Sequence, residues 1–168
     1  MSETYSFEDY CGIVDALRDE NGCPWDRQQT HVSLKPCMIN ETAETIAAIN
    51  YYEKTGDAEN FCEELGDMLL QIVLQSRIAS EEGLFTIQDV IQKASEKMIR
   101  RHPHVFGDKS IELPGAVAKE WEEIKRLEKA GMSDEEKRNR EYEVFLAWHE
   151  MEDHFKKVLD KTCNSDYK

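Results

Sequence analysis

The segment LGDMLLQIVLQ, residues 65–75, limits the fold more than any other stretch of this sequence. Apolar side chains fall on nearly every side of a helix drawn through it, so it predicts a central, buried helix from about Ala58 to Glu82. Gly66 stands inside that helix, where glycine costs about 1 kcal/mol relative to alanine. We interpret it as a point of close approach by a neighbouring helix or a ligand.

Helical periodicity continues through the other segments, and glycine, proline and capping residues divide it into separate helices. We predict a first helix from about Phe7 to Glu20 and a second that continues to about Lys54 before Gly56 ends it. The predicted capping residues are Ser33 for the second helix, Asp57 for the third, Thr86 with Asp89 for the fourth, and Ser133 with Glu136 for the sixth. With no strand signal, the pattern predicts an all-α helix bundle.

Length, charge and cysteine content exclude several classes of protein. The 168 residues are enough for a core without disulfides, and the formal charge of −14 makes a nucleic-acid polymer an unfavourable partner. No apolar stretch of 18 residues and no signal-peptide pattern is present, so we expect a soluble, cytoplasmic protein and no membrane partner. The five cysteines form no CxxC pair, which favours reduced thiols over a zinc site.

Two pairs of acidic residues have the same spacing. Glu41 and Glu44 are three residues apart on the second predicted helix, and Glu64 and Asp67 are three apart on the third. Either pair alone is ordinary for a solvated helix face. Two such pairs on adjacent apolar helices would bury several charges, which costs several kcal/mol per uncompensated ion. The pattern therefore favours a cation held by oxygen ligands, Mg²⁺ or Mn²⁺.

Several blocks of the sequence, taken in order, resemble one family, the MazG-type nucleoside triphosphate pyrophosphohydrolases of the all-α NTP pyrophosphatase superfamily. The resemblance covers roughly Leu17 to Lys125. Its blocks are LRDENGCPWDRQQTH (17–31), NETAE (40–44), EELGDMLLQ (63–71), GLF (83–85), KMIRRHPHVFGD (97–108) and EWEEIK (120–125).

The resemblance implies Mg²⁺-dependent hydrolysis of a nucleoside triphosphate to the monophosphate and pyrophosphate, by attack of a metal-activated water at the α-phosphorus. It implies that the four acids are the metal ligands and, with Lys97, the catalytic residues. The residues that it implies contact the nucleotide are Lys97 and Arg101 at the phosphates, and Trp121 and Lys125 in a C-terminal segment that closes on it. Trp25 of the CPWD loop is either a core residue or a base-stacking platform.

The basic run KMIRRHPH, residues 97–104, can also be explained without a bound phosphate. Cations are favoured in the last turn of a helix by the macrodipole, whether or not they bind a ligand. Arg100 and Arg101 are adjacent and point about 100° apart, so we expect one of them to contact phosphate and the other to form a salt bridge.

Asn40 departs from the family pattern. Most members have two adjacent glutamates at the start of the first motif, whereas this chain has Asn40-Glu41. An amide cannot act as a base. The first alternative function is therefore a nucleotide- and metal-binding protein of the same fold with little turnover, and the second is a helical scaffold whose C-terminal helix recruits a partner.

The last part of the chain lies outside the resemblance. We assign residues 1–131 to the MazG-like domain and 132–168 to a C-terminal helical extension packed on the same domain or on a partner subunit. Its amphipathic segment, residues 141–159, places Phe145, Trp148, Phe155 and Leu159 near an a/d spacing that Glu152 interrupts. The family resemblance favours a homodimer or a higher homo-oligomer.

Overall fold

The structure is a computed structural model, and it describes residues 4–108 and 114–165, with side chains through residue 161. In these ranges it contains helices and no strand, so the predicted all-α class is confirmed. The helices are α1 (Phe7–Arg18), α2 (Pro24–Arg27), α3 (Lys35–Thr55), α4 (Glu59–Glu81), α5 (Ile87–Arg101), α6 (Pro103–Phe106), α7 (Pro114–Glu128) and α8 (Asp134–Ser165).

The chain divides into two compact units, Met1–Ile91 and Gln92–Lys168. The first contains α1 to α4 and the start of α5, and the second contains the rest of α5 with α6, α7 and α8. The predicted boundary at residue 131 is a different kind of boundary, since it marks where the MazG-like domain ends and not where a compact unit ends. It stays a prediction.

An antiparallel hairpin of α3 and α4 forms the centre of the first unit. Pro36 occupies the first turn of α3, where its missing N–H has no intrahelical partner to lose. Gly56 ends α3 in the left-handed conformation, with φ of 77°. Thr45 contacts Glu64, while Thr42, earlier on α3, contacts Met68, later on α4. The two helices therefore run side by side in opposite directions.

The core of the first unit lies where α1 and the segment before α3 pack against α4. Its fully buried side chains are Val14, Leu34, Val73, Leu74 and Ile78. Other apolar side chains of α4 remain exposed: Leu65 by 49%, Leu69 by 36% and Ile72 by 43%. The prediction of a central helix is confirmed, but the prediction that it is buried on all sides is wrong, because α1 and α3 leave one face of α4 uncovered.

Gly66 has no close neighbour in the structure. A Cβ atom at this position would meet nothing within 4 Å, so no neighbouring element of the described structure approaches it closely. The interpretation as a contact with a neighbouring helix is therefore wrong, and the interpretation as a point of approach for a ligand stays a prediction.

Of the four predicted helix starts, two are confirmed and two are corrected. The N-cap of α4 is Ala58 and not Asp57, whose Oδ1 accepts a hydrogen bond from the Glu59 N–H at 3.0 Å. Thr86 with Asp89 and Ser133 with Glu136 each exchange the side-chain to backbone hydrogen bonds of a capping box. Ser33 does not cap α3. The N-cap is Leu34, whose side chain is drawn into the core, and the Ser33 hydroxyl instead accepts a hydrogen bond from the Thr30 N–H at 2.9 Å.

Two short helices, α2 and α6, both begin at a proline, and α2 occupies the CPWD segment that we describe above as a loop. The last helix runs to Ser165, beyond the amphipathic segment 141–159. Among the described residues, no helix combines the length and the hydropathy that crossing a membrane requires.

Leu34→Ala should lower the free energy of unfolding by about 2–5 kcal/mol, because it removes a side chain that is 1% exposed from the core of the first unit. Urea unfolding followed by circular dichroism measures the change. Leu84→Ala is the matched control, since Leu84 is 63% exposed and its truncation should change the free energy by no more than about 0.5 kcal/mol. Equal losses in the two variants would contradict the assignment of the core.

Candidate metal and nucleotide site

Three carboxylates from two helices converge on the α3–α4 hairpin. Glu41 lies on α3, Glu64 and Asp67 lie on α4, and one oxygen atom from each is within 4.8 Å of the others. The i, i+3 spacing places Glu64 and Asp67 on one face of α4, and the antiparallel pairing turns that face towards Glu41. Oxygen atoms this close form a geometry that can chelate a small cation.

Glu44 is the predicted ligand that this three-membered group does not include. Its side chain is exposed, whereas Glu41 and Glu64 are half-buried. Its charge still acts on the cluster, since Glu44 contributes to raising the pKa of both Glu41 and Glu64. In this conformation, Glu44 is therefore a neighbour of the cluster and not a member of it.

Burial and mutual repulsion both act on the cluster. The pKa of Glu41 is raised first by burial and then by the charges of Asp67, Glu44 and Glu64. The pKa of Glu64 is raised first by burial and then by Glu44, Asp67 and Glu63. Both carboxyls therefore hold a proton at a higher pH than an isolated glutamate, because the ionised form lacks compensating positive charge.

The Oε2 atom of Glu64 gives an independent indication of a cation. It is buried and has no hydrogen-bond partner among the described residues. Buried carboxylate oxygens are normally hydrogen-bonded, paired or bound to metal. Three clustered carboxylates and one unpartnered oxygen fit a hard divalent cation such as Mg²⁺ or Mn²⁺, both of which prefer oxygen ligands.

Two threonines hold the two helices together beside the cluster. Thr45 Oγ1 donates a hydrogen bond to the backbone carbonyl of Glu64 at 3.3 Å, and so crosses from α3 to α4. Thr42 Oγ1 donates to the Met38 carbonyl at 2.7 Å and contacts the Met68 sulfur at 3.6 Å. These contacts fix the position of α4 along α3, and therefore the spacing of the carboxylates.

Tyr10 is a neighbour of the cluster that sequence reasoning did not identify. Burial raises the pKa of its phenol, and the charge of Asp67 is the next largest cause. Tyr10 is on α1, which packs against α4, so its proximity arises from tertiary packing alone. No local motif in the sequence indicates it.

The loop before α3 is fastened to the first unit by Arg18. Its guanidinium is 6% exposed, forms an ion pair with Glu81 at 2.6 Å, and donates hydrogen bonds to the backbone carbonyls of Asp26 and Gln29. Trp25 stands on this loop with 57% of its surface exposed. It is therefore not a core residue, which leaves the stacking interpretation as a prediction.

The basic residues of the second unit have different surroundings. Lys97 is exposed on α5. Arg101 is 16% exposed and pairs with Glu128 of α7 at 2.6 Å, and its guanidinium lies 5.0 Å from the centre of the Trp121 ring. The structure thus brings together Arg101 and Trp121, which were each predicted to contact the nucleotide, with a carboxylate, Glu128, that the sequence analysis did not include.

Arg100 and Arg101 converge on the same carboxylate. Arg100 reaches Glu128 Oε1 at 2.6 Å and Arg101 reaches Oε2 at 2.6 Å, so both arginines form salt bridges. Hydrogen bonds from Arg101 and then Arg100 lower the pKa of Glu128 to about 2. We predicted a salt bridge for one of the two, but long side chains from adjacent positions can meet at one group despite their different directions.

The remaining predicted residue of the C-terminal segment, Lys125, forms an ion pair with Glu122 on its own helix at 2.9 Å. Trp121 is half-buried, and His102 packs edge-on against its ring at a centroid distance of 5.0 Å. The Nδ1–H of His102 donates a hydrogen bond to the Met98 carbonyl at 2.7 Å, at the end of α5.

The predicted residues thus fall in two groups. The first unit holds the carboxylates and Trp25, and the second holds Lys97, Arg101, Trp121 and Lys125. Within the first unit the structure brings three of the four acids together. Within the second unit, the guanidinium of Arg101 contacts the ring of Trp121.

Comparison with known proteins agrees with the resemblance drawn from the motifs. The chain is 54% identical over 123 residues to the nucleoside triphosphate pyrophosphohydrolase/pyrophosphatase MazG of Thermotoga maritima, covering 73% of this chain and 45% of that protein. It is 44% identical over 119 residues to the nucleoside triphosphate pyrophosphohydrolase of Escherichia coli (strain K12), covering 70% and 44%. It is 48% identical over 125 residues to the uncharacterized protein YabN of Bacillus subtilis, covering 74% and 25%.

In each of these three cases the match spans less than half of the relative. Residues 29–106 match the family described as the MazG nucleotide pyrophosphohydrolase domain. That range includes the carboxylate cluster, Lys97 and Arg101, whereas Trp25, Trp121 and Lys125 lie outside it. This chain therefore carries a MazG nucleotide pyrophosphohydrolase domain.

Proposed function

We propose that this protein hydrolyses nucleoside triphosphates to the monophosphate and pyrophosphate, and that it requires a divalent cation, Mg²⁺ first and Mn²⁺ as a substitute. The observation that carries the proposal is the convergence of Glu41, Glu64 and Asp67 within 4.8 Å, with one Glu64 oxygen unpartnered. The matched family, and two relatives that are named nucleoside triphosphate pyrophosphohydrolases, support the same reaction.

Glu41, Glu64 and Asp67 would hold the cation, and Glu44, whose charge raises the pKa of Glu41 and of Glu64, is proposed as the fourth ligand. When bound, the cation would supply charge stabilisation at the phosphate oxygens and a more acidic water for attack at the α-phosphorus. The residues of the chain contribute their fixed positions. Thr45 and Thr42 maintain the spacing of α3 and α4, so little reorganisation is needed on binding.

Lys97 and Arg101 would contact the triphosphate. Lys97 is exposed, and Arg101 is oriented by Glu128 and Trp121. A guanidinium offers five donors in a fixed fork, so one that is held by a carboxylate can still present donors to phosphate oxygens. Trp121, Lys125 and Trp25 are proposed to contact the rest of the nucleotide.

We also propose that the protein is a cytoplasmic homo-oligomer, at least a dimer. The exposed apolar side chains of α4, Leu65, Leu69 and Ile72, support a second subunit in the assembly. The described cysteines Cys11, Cys23, Cys37 and Cys62 are free thiols, which suits a reducing compartment.

Pyrophosphate release from a panel of nucleoside triphosphates, measured with Mg²⁺, with Mn²⁺ and with EDTA, tests the proposed reaction. We expect release of pyrophosphate, and not of single phosphate, in the presence of either metal. A protein that binds nucleotide and metal without releasing pyrophosphate would instead support the alternative in which this fold binds but does not turn over.

Glu64→Gln and Asp67→Asn should each reduce Mn²⁺ affinity by a factor of about 10 or more and abolish turnover, because each removes a charged ligand from the cluster. Electron paramagnetic resonance of free Mn²⁺ measures the affinity. Both variants should be at least as thermally stable as the wild-type protein without metal, since one repelling charge is gone.

Glu63→Gln is the matched control for metal binding. Glu63 is adjacent to Glu64 but exposed and outside the three-membered cluster, so its loss should leave Mn²⁺ affinity within about twofold. Retention of more than a tenth of wild-type turnover by Glu64→Gln or Asp67→Asn would count against the metal assignment.

Lys97→Ala and Arg101→Ala should weaken binding of a triphosphate about 10- to 100-fold and that of a monophosphate much less, since a lost charged contact costs about 1.5–3 kcal/mol. Isothermal titration with a non-hydrolysable triphosphate and with the monophosphate measures both. Glu128→Gln distinguishes a direct contact of Arg101 with phosphate from a structural role of its salt bridge. This variant removes the carboxylate that holds Arg101 and keeps the guanidinium. If Glu128→Gln weakens the triphosphate as much as Arg101→Ala does, Arg101 acts through the fold.

Asn40→Glu should raise kcat about tenfold or more with little change in nucleotide affinity, if the family's first glutamate orients or deprotonates the attacking water. Asn40 is half-buried and precedes Glu41 of the cluster directly. Steady-state kinetics with matched titrations measures both quantities. An unchanged kcat in an active enzyme would assign the base elsewhere, with Glu44 and Glu63 as candidates.

A further inference from the structure

The last helix, α8, presents a continuous apolar face that lies outside the matched family region. Each helical residue turns by about 100°, so the apolar side chains of this face fall within about 80° on either side of Trp148. They are Val144, Phe145, Trp148, Met151, Phe155, Val158 and Leu159. Trp148 is 66% exposed, Leu159 62% and Val144 57%, whereas Met151 and Phe155 are half-buried, so the described structure covers this face only in part.

The shape of this face is that of a coiled-coil surface. A groove of about 410 Å³ runs along it, lined by Trp148, Met151, Glu152, Phe155, Lys156 and Leu159. These six residues form two overlapping sets with the spacing i, i+3, i+4, i+7, which are 148-151-152-155 and 152-155-156-159. Four residues so spaced form the hole that receives one side chain of a facing helix in knobs-into-holes packing.

We infer that α8 pairs with the α8 helix of a second copy of this chain. The same face carries large side chains that can act as knobs, Trp148, Phe155 and Leu159, and the two holes that can receive them. A surface that supplies both parts is self-complementary, as a twofold-symmetric interface requires. A different partner would have to reproduce this arrangement, whereas a second copy has it already.

The exposed area is sufficient for such a pair. An aromatic side chain buries about 150–250 Å² when it is covered, and the face has exposed aromatic and aliphatic side chains along about four helical turns. Two copies would then bury on the order of 1,000 Å², which reaches the lower limit of specific protein interfaces. Further contact elsewhere on the chain would add to it.

Glu152, the polar residue in the seam, is already compensated. Its carboxylate pairs with Lys156 at 2.7 Å, and His149 lies 3.8 Å from it. The Lys156 hydrogen bond and charge lower the pKa of Glu152, so the carboxylate stays ionised and paired. A charge with its own partner on the same helix costs less at an interface than an unpaired one, and can also fix the register of the pair.

Acrylamide quenching of Trp148 tests the inference in the full-length chain. Trp25→Phe with Trp121→Phe leaves Trp148 as the one tryptophan, since the sequence has three. We expect Trp148 to become shielded as the protein concentration rises from about 0.1 to 100 µM, with a matching rise of the mass in sedimentation velocity. Shielding of Trp148 in a species of monomer mass would mean that α8 packs on its own chain, and would overturn the inference.

Phe155→Lys and Leu146→Lys, each in that background, form the matched pair. Phe155 lies in the seam, whereas Leu146 is an apolar residue 40% exposed and about 160° from Trp148 on the same helix. Phe155→Lys should abolish the shielding and Leu146→Lys should keep it, with equal helicity by circular dichroism. Shielding that survives Phe155→Lys, is lost equally in both variants, or is absent at 100 µM would refute the pairing of α8 helices.

Discussion

Repulsion among the half-buried carboxylates of α3 and α4 is the constraint on which the candidate site depends. Like charges held within a few ångströms in a partly desolvated place raise one another's pKa and oppose the packing of the two helices. The hairpin keeps them together through its apolar contacts and through Thr45 and Thr42. The folded hairpin therefore contains an unfavourable repulsion between carboxylates that a bound cation would relieve.

The parts of this arrangement that are local in sequence could be predicted from it. The i, i+3 spacing identified both acid pairs, and the capping boxes at Thr86 and Ser133 located the starts of two helices. Each of these signals concerns residues within one helical turn, where backbone geometry dictates which side chains meet. The family motifs added the expectation that the four acids share one metal site, which periodicity alone does not provide.

The parts that depend on tertiary packing could not be predicted in the same way. Tyr10 approaches Asp67 because α1 packs on α4, and no local spacing connects them. Leu69 is apolar yet exposed. Hydrophobicity predicts that such a side chain will be covered, but it does not predict whether its own chain or another subunit covers it. Arg100 and Arg101 share Glu128 because their long side chains bend, and helical angles describe only the positions of Cβ atoms.

The ion triad of Arg100, Arg101 and Glu128 has a consequence for acid titrations of this protein. A carboxyl whose pKa is about 2 gives its full stabilisation above the ordinary value near 4.5, and this stabilisation decreases as the pH falls from 4.5 and is gone below about 2. Glu41 and Glu64 have raised pKa values and take up protons first. There is therefore an acidic range in which Glu41 and Glu64 are protonated while Glu128 is still ionised and holds Arg101, so the metal-binding and the phosphate-binding parts of the proposed site can be titrated separately in one sample.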